Sequence, residues 1–285
     1  MKKFEPEVEL SKSLNEEQKQ NLHKEYIENK SVLGIDIYKY SEYSEDIQVY
    51  VPVLFNSLYK ITVENCSIGE KYFFQNYGST FSDFKENFIS TGDGGFQIFD
   101  NPLQSLIFAI YFQLNVKRFN SGSLTGKLNI NLFDIIGRIE LRYATTYDKI
   151  YCYDKNFFGA AIINNSRILS KDNLNRLLTD YKSLQWFDQT INTIENLMIM
   201  KIENFYKISY FKEFSKDHGS LLFGNPNSDK FKSFDILKIG TIISKNTSLD
   251  IYNLKIQVLI SIKGEHKDFK GFFITVGNLN TQGIQ

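Results

Sequence analysis

A helix that begins at Asn101-Pro102 constrains the fold more than any other feature of the chain. Asn is a favoured N-cap residue, and Pro is favoured at the first helical position. The helix directly follows the alternating segment FQIF, which is typical of a strand. A strand followed by an amphipathic helix predicts a domain in which helices pack on a sheet. The apolar residues that fall on one face of this helix are Leu103, Leu106, Ile107, Ile110, Tyr111 and Leu114.

The order of the other predicted elements narrows the fold class. Hydrophobic periodicity predicts, in chain order, a strand at 31–38, a helix at 46–63, strands at 70–77 and 84–99, strands over 128–151, a helix at 159–170 and two strand-like runs within 184–211. Pro52 is compatible with the second of these elements only near a first turn or a kink. The order predicts an α+β fold, a ferredoxin-like α/β sandwich with a βαββαβ core and a mainly antiparallel sheet.

The composition of the chain changes in the polar, turn-prone stretch at 215–230. Beyond it, the segments DILKIGTII, LDIYNLKIQVLISI and GFFITV alternate as strands do. We therefore predict three parts: an N-terminal helical arm at 1–30, a larger domain at 31–214, and a small β-rich, sensor-like module at 231–285.

Charge and residue usage exclude several classes of function. The formal net charge is zero, which gives no electrostatic case for binding DNA, RNA or a membrane surface. Two cysteines support neither a disulfide framework nor a metal cluster, and the three histidines are scattered, so any catalytic metal must be held by carboxylates. No segment resembles a signal peptide or is long enough to span a membrane, so we predict a cytoplasmic protein without membrane insertion.

Two aspartates lie in segments where an unpaired carboxylate is energetically unfavourable. Asp36 interrupts an apolar strand within GIDIYKYSEY, and Asp93 lies between glycines within STGDGGFQIF. Glycines allow the backbone to approach a ligand closely. If the two strands are adjacent, the two carboxylates can bind two Mg²⁺ or Mn²⁺ ions through oxygen ligands and promote phosphoryl chemistry.

These segments resemble the metal-binding motifs of class III adenylate and guanylate cyclases, and NFFGAAIINNSRI resembles the third motif of that family. The resemblance covers about residues 30–212, with the three motifs in family order. It implies a homodimer with composite sites, in which the ribose 3′-hydroxyl attacks the α-phosphorus of a nucleoside triphosphate and pyrophosphate leaves.

The resemblance also implies roles for individual residues. Asp36, Asp93 and the backbone carbonyl of Ile37 would hold the metals. Backbone amides around Lys39, Tyr40 and Ser41 would cradle the triphosphate. Arg167 would stabilise charge on the α-phosphate, a task suited to a guanidinium.

The chain departs from the family pattern at the positions that read the base. Ile89 replaces the usual Lys, and Asn156 replaces the Asp of adenylate cyclases. The family Asn that contacts the ribose is replaced by Ile163, so either Asn164 or Asn165 would take that role. An Asn amide offers one acceptor and two donors, which suits a pyrimidine edge.

The departures and the C-terminal strands resemble a narrower family, the bacterial pyrimidine cyclases of the Pycsar antiphage system. That resemblance implies conversion of UTP to cyclic UMP, with a phage-derived trigger and a second-messenger product. Conversion of CTP, a purine cyclase, and an inactive nucleotide-binding or interaction module are the alternatives.

Overall fold

The computed structural model describes residues 3–4, 27–78, 80–193, 231–244, 247–263, 269–278, 280 and 282–284. Most of the predicted N-terminal arm, the strand-like runs beyond residue 193 and the predicted domain boundary at 215–230 lie outside these ranges. Residues 28–30, which the sequence assigns to the arm, begin a strand.

The strands of the described ranges form one sheet of ten strands. They are β1 (Lys3–Phe4), β2 (Glu28–Ile37), β3 (Phe88–Ser90), β4 (Gly94–Phe99), β5 (Leu141–Tyr153), β6 (Asn156–Phe158), β7 (Leu177–Asp180), β8 (Phe231–Ser244), β9 (Thr247–Lys263) and β10 (Phe269–Val276). The main path runs β10-β9-β7-β5-β2-β4-β3. Within it, β5-β2-β4-β3 is the strand order of a βαββαβ core, and its pairs are antiparallel.

The helices cover both faces of this sheet. They are α1 (Glu45–Gln48), α2 (Val51–Glu64), α3 (Lys71–Phe74), α4 (Phe81–Glu86), α5 (Pro102–Asn120), α6 (Lys127–Ile136), α7 (Ala160–Lys171) and α8 (Tyr181–Thr193), with a short π-helical turn at Asn65–Gly69. The predicted α+β class and mainly antiparallel sheet are confirmed, since β5–β7 and the short β1–β5 contact are the parallel pairs among the described strands.

The two faces of the sheet have cores of different size. α2 and α5 pack on one face, where aromatic rings such as Phe99 and Phe108 form a large cluster. α7 packs on the other face over two small apolar clusters, one around Val32 and one around Ile168. Because these clusters are small, polar side chains such as Asn165 also lie against the sheet on the α7 side.

Several predicted elements are confirmed in place. The strand at 31–38 is β2, and the helix at 46–63 is α1 followed by α2, with Pro52 in its first turn. α5 begins at Pro102, and the side chain of Asn101 accepts a hydrogen bond from the Gln104 amide as an N-cap. The helix at 159–170 is α7, and the three C-terminal strands are β8, β9 and β10.

Three predicted strand regions are helical instead. Residues 71–74 form α3, where Phe74 enters the aromatic cluster against Phe84. Residues 127–136 form α6, since Leu132 and Ile136, four residues apart, are the apolar pair that is buried. Short apolar runs are ambiguous between strand and helix when they are judged by periodicity alone.

The first part of the predicted 184–211 strand region is α8. Its start is fixed by Asp180, whose carboxylate accepts a hydrogen bond from the Ser183 amide at 2.9 Å. Ser183 and Phe187 are both buried, so the helix presents one face to the core. A capping Asp followed by side chains spaced four residues apart favours a helix over a strand.

The C-terminal strands extend the main sheet. β9 pairs antiparallel with β7, with Leu178 opposite Asn253, and β8 and β10 flank β9. The division of the chain into a larger domain and a small module stays a prediction, but these strands are hydrogen-bonded to the same sheet as the core.

Candidate active site

Asp36 and Asp93 lie together at one end of the central strands. Asp36 is near the end of β2, in register with Gly94 of β4 on one side and Arg142 of β5 on the other. Asp93 belongs to the turn between β3 and β4, and its carbonyl accepts a hydrogen bond from the Ile37 amide at 3.3 Å. A Cβ at Gly94 would lie 2.1 Å from the Ile35 carbonyl oxygen, so this close approach requires glycine.

The two carboxylates, hereafter the carboxylate pair, repel each other in a partly buried site. Burial first, and then the charge of Asp36, raise the pKa of Asp93 to about 6. Like charges that share a site favour the protonated form of one of them. A cation placed between them would relieve this repulsion.

Arg142 supplies a positive charge beside the carboxylate pair. Its Nε donates a hydrogen bond to the Asp36 carboxylate, and its Nη1 donates to the Asp172 carbonyl at 2.5 Å. Arg142 is absent from the residues predicted from the sequence, because its importance follows from the β2–β5 register that places it opposite Asp36. An arginine within an otherwise apolar strand, in LRYA, is the signal that could have drawn attention to it.

The residues of the carboxylate pair fit a divalent cation, but they cannot complete its coordination alone. Among the residues that the structure describes, no group of three His, Cys, Asp or Glu side chains could hold a metal. The remaining ligands would therefore be oxygens of the backbone, of water or of a bound phosphate, as Mg²⁺ prefers. Ile37 follows Asp36 directly, and its side chain is buried, so only its backbone could contribute.

The predicted triphosphate loop follows β2 without a break. Lys39 has the left-handed backbone angles φ 63° and ψ 28°, and Tyr40–Glu42 form a single 3₁₀ turn. The position occupied by glycine in the resembled family thus has the conformation that glycine adopts most easily, here in a lysine. An ion pair of 3.0 Å joins Lys39 to Glu42 on the exposed side.

The two predicted base-reading residues lie in different surroundings. Ile89 packs against the apolar cluster around Val32 and Ile98. Asn156 is exposed at the start of β6, where its Nδ2 donates to the Asp154 carbonyl at 2.9 Å. Neither residue is brought into contact with the carboxylate pair within this chain.

Asn164 and Arg167 line a separate cavity of about 660 Å³, hereafter the α7 cavity. The carboxylate pair is not part of its lining. Its walls come from β5, α7, the end of β7, the start of α8 and the adjoining ends of β8 and β9, and they include Asp148, Asp180, Tyr181, Lys182, Ser244, Thr247, Ser248 and Asp250. The contributions of α8, β8 and β9 are not foreseen from the sequence, since these elements lie outside the third motif.

Burial separates Asn164 from Asn165. Asn165 is fully buried, and its Nδ2 donates to the carbonyls of Val32 and Ala144 at 2.8 and 2.9 Å. Its Oδ1 lies where a Cβ of residue 34 would stand, so Gly34 makes room for it. Asn165 thus joins α7 to the sheet, while Asn164 faces the α7 cavity.

A carboxyl group in the α7 cavity also has a raised pKa. Burial raises the pKa of Asp180 to about 6, although hydrogen bonds from Ser183 and Tyr147 oppose the shift. Nearby, Lys182 pairs with Asp148 at 2.7 Å. This cavity therefore holds acidic and basic groups in mutual contact.

Several solved structures have a chain path similar to that of this protein, at low sequence identity. No family model matches the sequence, and no curated protein matches it. An adenylate/guanylate cyclase/hydrolase from Silicibacter pomeroyi is 14% identical with a TM-score of 0.44, over 80% of this chain and 96% of that one. The adenylyl cyclase CyaB from P. aeruginosa is 10% identical with a TM-score of 0.41, over 80% and 95%.

Adenylate cyclases from Trypanosoma brucei are 10% identical with a TM-score of 0.42, over 79% of this chain and 87% of that one. At these values the likeness carries no conclusion about activity. In the part of the chain that the structure describes, no helix is long and apolar enough to cross a membrane.

Proposed function

We propose that this chain is a nucleotidyl cyclase that converts a nucleoside triphosphate into a 3′,5′-cyclic nucleotide and pyrophosphate. The observation that carries the proposal is the carboxylate pair on adjacent antiparallel strands, with the pKa of Asp93 raised by burial and by Asp36. In the reaction, a bond forms between the ribose 3′-oxygen and the α-phosphorus. The bond from that phosphorus to pyrophosphate breaks, and the hydroxyl proton is released.

Asp36, Asp93 and the Ile37 carbonyl would hold Mg²⁺ or Mn²⁺, two ions in each site. When bound, such ions supply charge stabilisation for the phosphates and favour ionisation of the attacking hydroxyl. The chain itself contributes preorganised groups around them. Hydrogen bonds already hold Arg142 beside Asp36. Its guanidinium can therefore offset phosphate charge without losing further conformational entropy when the substrate binds.

The loop after β2 suits a polyphosphate. Backbone amides around Lys39, Tyr40 and Ser41 follow Asp36 directly, and the left-handed residue Lys39 turns the chain there. Successive amides in such a turn make an anion-binding concavity. The Lys39 side chain is half-exposed and pairs with Glu42, so the concavity depends on the backbone amides.

We propose a homodimer in which each site is shared. The carboxylate pair and Arg167 line different parts of one chain, and a cyclisation needs both phosphate activation and charge stabilisation at the same phosphorus. A second copy can bring its Asn164 and Arg167 to the partner's carboxylates. The exposed Tyr151 and Phe158, which stack with ring centroids 5.6 Å apart on the β5–β6 hairpin, offer apolar surface for such an interface.

For the base, we propose a preference for UTP. Ile89 packs in an apolar cluster and has no group that could donate to or accept from a purine edge. Asn156 is exposed, and its amide can pair with the O4/N3 edge of uracil. The same amide could serve cytosine, so CTP is the first alternative, and a purine is the second.

The deciding experiment incubates the purified chain with Mn²⁺ and each of the four nucleoside triphosphates, followed by chromatography of the products. We expect cyclic UMP and pyrophosphate in equal amounts. Conversion of ATP or GTP alone would refute the pyrimidine preference. If no triphosphate is converted while Mn²⁺ and nucleotide still bind, the chain is a nucleotide-binding module, which is the alternative of another class.

On the resemblance to the Pycsar cyclases, we propose that cyclic UMP acts as an antiphage messenger in the cytoplasm, made after a phage-derived trigger. The test measures cyclic UMP in cells that carry the chain, before and after infection. An unchanged level during infection, with the protein present and active in vitro, would refute this role.

A further inference from the structure

The segment at 277–284, of which the structure describes residues 277, 278, 280 and 282–284, lies across the loop that leads into β7. This loop contacts the carboxylate pair through Arg142. The segment leaves β10 at Gly277, which has a φ of 76° and where an added Cβ would stand 2.2 Å from the Leu254 carbonyl oxygen, so both features require glycine. Asx turns follow, since Asn278 Oδ1 accepts from the Asn280 amide and Asn280 Oδ1 accepts from the Gln282 amide, each at 2.9 Å. These contacts fix the positions of Asn278, Asn280 and Gln282 relative to one another.

Arg176 connects this segment to the loop. Its side chain is 1% exposed, and its Nη1 donates to the carbonyls of Asn280 and Gln282 at 3.3 and 2.6 Å. Its Nε and Nη2 donate to Asp172 Oδ1 at 3.0 and 2.7 Å. A buried guanidinium that shares its donors between one carboxylate and two carbonyls fixes the distance between the segment and Asp172.

Asp172 then reaches the site through its backbone. Its carbonyl accepts a hydrogen bond from Arg142 Nη1, while Arg142 Nε donates to Asp36. One guanidinium is thus held from two sides, and the Asp172 carbonyl decides how the Arg142 plane faces the carboxylate pair. The connection runs from the 277–284 segment through Arg176, Asp172 and Arg142 to Asp36.

A second set of contacts supports the same loop. Asn278 Nδ2 donates to the carbonyl and the Oδ1 of Asn175 at 3.0 and 2.6 Å. Asn175 Nδ2 donates to Glu140 Oε2 at 2.6 Å, and the Glu140 carbonyl accepts from the Tyr38 amide at 2.9 Å. The Tyr38 hydroxyl in turn donates a hydrogen bond to the carbonyl of Asn173, in the same loop, at 3.1 Å.

We propose that the 277–284 segment positions Arg142 for the reaction, with Arg176 and Asn278 as positioning residues. This deepens the proposed function and rests on it for its kinetic consequence, whereas the geometric claim about Arg142 stands without it. Small displacements of a preorganised group lower turnover steeply, since the reacting geometry must be held within fractions of an ångström. Ground-state binding of the triphosphate is spread over more groups and changes less.

The test uses the full chain and the variant Asn278→Ala, with Gln282→Ala as the matched control. Gln282 belongs to the same segment, its side chain is exposed, and its substitution keeps the backbone carbonyl that accepts from Arg176. The chain has five arginines, so their Nε–Hε signals are resolvable in a nitrogen–proton correlation spectrum, and Arg142→Lys identifies the Arg142 signal by its loss.

We expect Asn278→Ala to shift or broaden the Arg142 signal, and to lower kcat about tenfold with KM within about twofold of the parent. Gln282→Ala should leave the signal and both constants unchanged. Arg176→Lys, which cannot donate to both partners in the same fork, should move the signal further.

An Arg142 signal that is unchanged in folded Asn278→Ala and Arg176→Lys would overturn the proposal, and a lowered melting temperature would then be a purely structural effect. If the parent chain makes no cyclic nucleotide, the proposed function fails, while the spectrum still decides whether the segment positions Arg142.

Discussion

Two parts of the molecule contain an aspartic acid whose pKa is raised to about 6, mainly by burial, and they differ in the groups that surround the carboxyl. Asp93 is half-buried, and a second carboxylate, Asp36, adds to the shift. Asp180, in the α7 cavity, is fully buried, and the nearby amide of Ser183 opposes the shift. The first arrangement is the cation site that we propose, while the second caps the start of α8.

A raised pKa therefore does not by itself indicate that a carboxyl group has a functional role. Both carboxyls are perturbed, and each has a second carboxylate near it. Asp36 is the largest cause after burial for Asp93, whereas Asp148 contributes least to the shift of Asp180, so a metal ion would relieve more repulsion at the carboxylate pair. Asp148 pairs with Lys182, as Asp36 does with Arg142. Each of the following predictions tests this difference, beginning with the largest expected effect.

The largest effect is expected from removing one member of the carboxylate pair. Asp93→Ala, like Asp36→Ala, should lower the Mn²⁺-dependent rate of cyclic nucleotide formation by about 10³-fold or more, because the ions lose a ligand. The rate is measured by chromatography of the product at saturating triphosphate. Asp180→Asn is the control, and it should keep most of the parent rate; a surviving rate in Asp93→Ala would refute the metal assignment.

Mixing two inactive variants tests whether the two regions act together across a dimer. Asp93→Ala and Arg167→Ala should each be nearly inactive alone. Random pairing makes about half of the dimers mixed, each with one intact composite site, so about a quarter of the parent rate should return. The measurement is the rate of an equimolar mixture after exchange of subunits.

The matched control mixes Asp93→Ala with Asp36→Ala, since both changes affect the same half of a site and no intact site can form. Absence of recovery in the first mixture, with mixed dimers demonstrated by a tag on one variant, would count against a site shared between two chains. Arg167, which lines the α7 cavity, would then act within its own chain.

A moderate effect is expected from pH on metal binding. Asp93 must lose its proton to bind a cation, and its native pKa of about 6 exceeds the ordinary value of 3.8. Mn²⁺ affinity, measured by titration calorimetry, should therefore be about tenfold weaker near pH 5 than near pH 7.5. An affinity that does not depend on pH in this range would contradict the raised pKa of Asp93.

Without metal, the free energy of unfolding should fall as the pH rises, whereas the affinity for Mn²⁺ should increase. A carboxyl whose pKa is raised on folding binds a proton in the native state that the unfolded chain lacks, so the free energy of unfolding falls as pH rises from about 4 to 6. For half-exposed Asp93, screening reduces the contribution to about 1 kcal/mol. Asp93→Asn should remove this part of the pH dependence in urea titrations, and added Mn²⁺ near pH 7.5 should offset it in the parent.

The smallest effect concerns the loop beside the carboxylate pair. Lys39→Gly should raise the free energy of unfolding by no more than about 0.5 kcal/mol, since glycine removes the left-handed strain but costs more entropy and loses the Glu42 ion pair. Urea titration measures the change. Lys39→Ala is the control, because it loses the same ion pair and keeps the strain; a loss of stability in both variants would show that the ion pair outweighs the strain.

The sequence alone predicts a structural feature when the residues that cause it lie within one short segment. Asp36 in an apolar strand, Asp93 between glycines and the Asn101 cap are local features, and their placement in strand, turn and helix follows from them. β2, α5 and α7 are predictable for the same reason, and so is the α+β class.

The rest depends on contacts between distant segments. Arg142 becomes part of the site only because the register of β2 and β5 sets it opposite Asp36. α6 resembles a strand in the sequence because LNINL alternates, whereas burial in the folded chain selects Leu132 and Ile136. The roles of Asn164 and Asn165 differ only because α7 turns one of them toward the sheet and the other toward the cavity.

The strand order has a consequence for synthesis of the chain. β7 lies between β5 and β9, so the edge of β7 stays unpaired until residues 251–254 have left the ribosome. An unpaired strand edge on a nascent chain can pair with another chain, and late long-range pairing slows folding. Truncation before β9 should therefore give aggregates rather than a soluble core, and the yield of soluble protein should depend on β9 although β9 contributes no residue to the carboxylate pair.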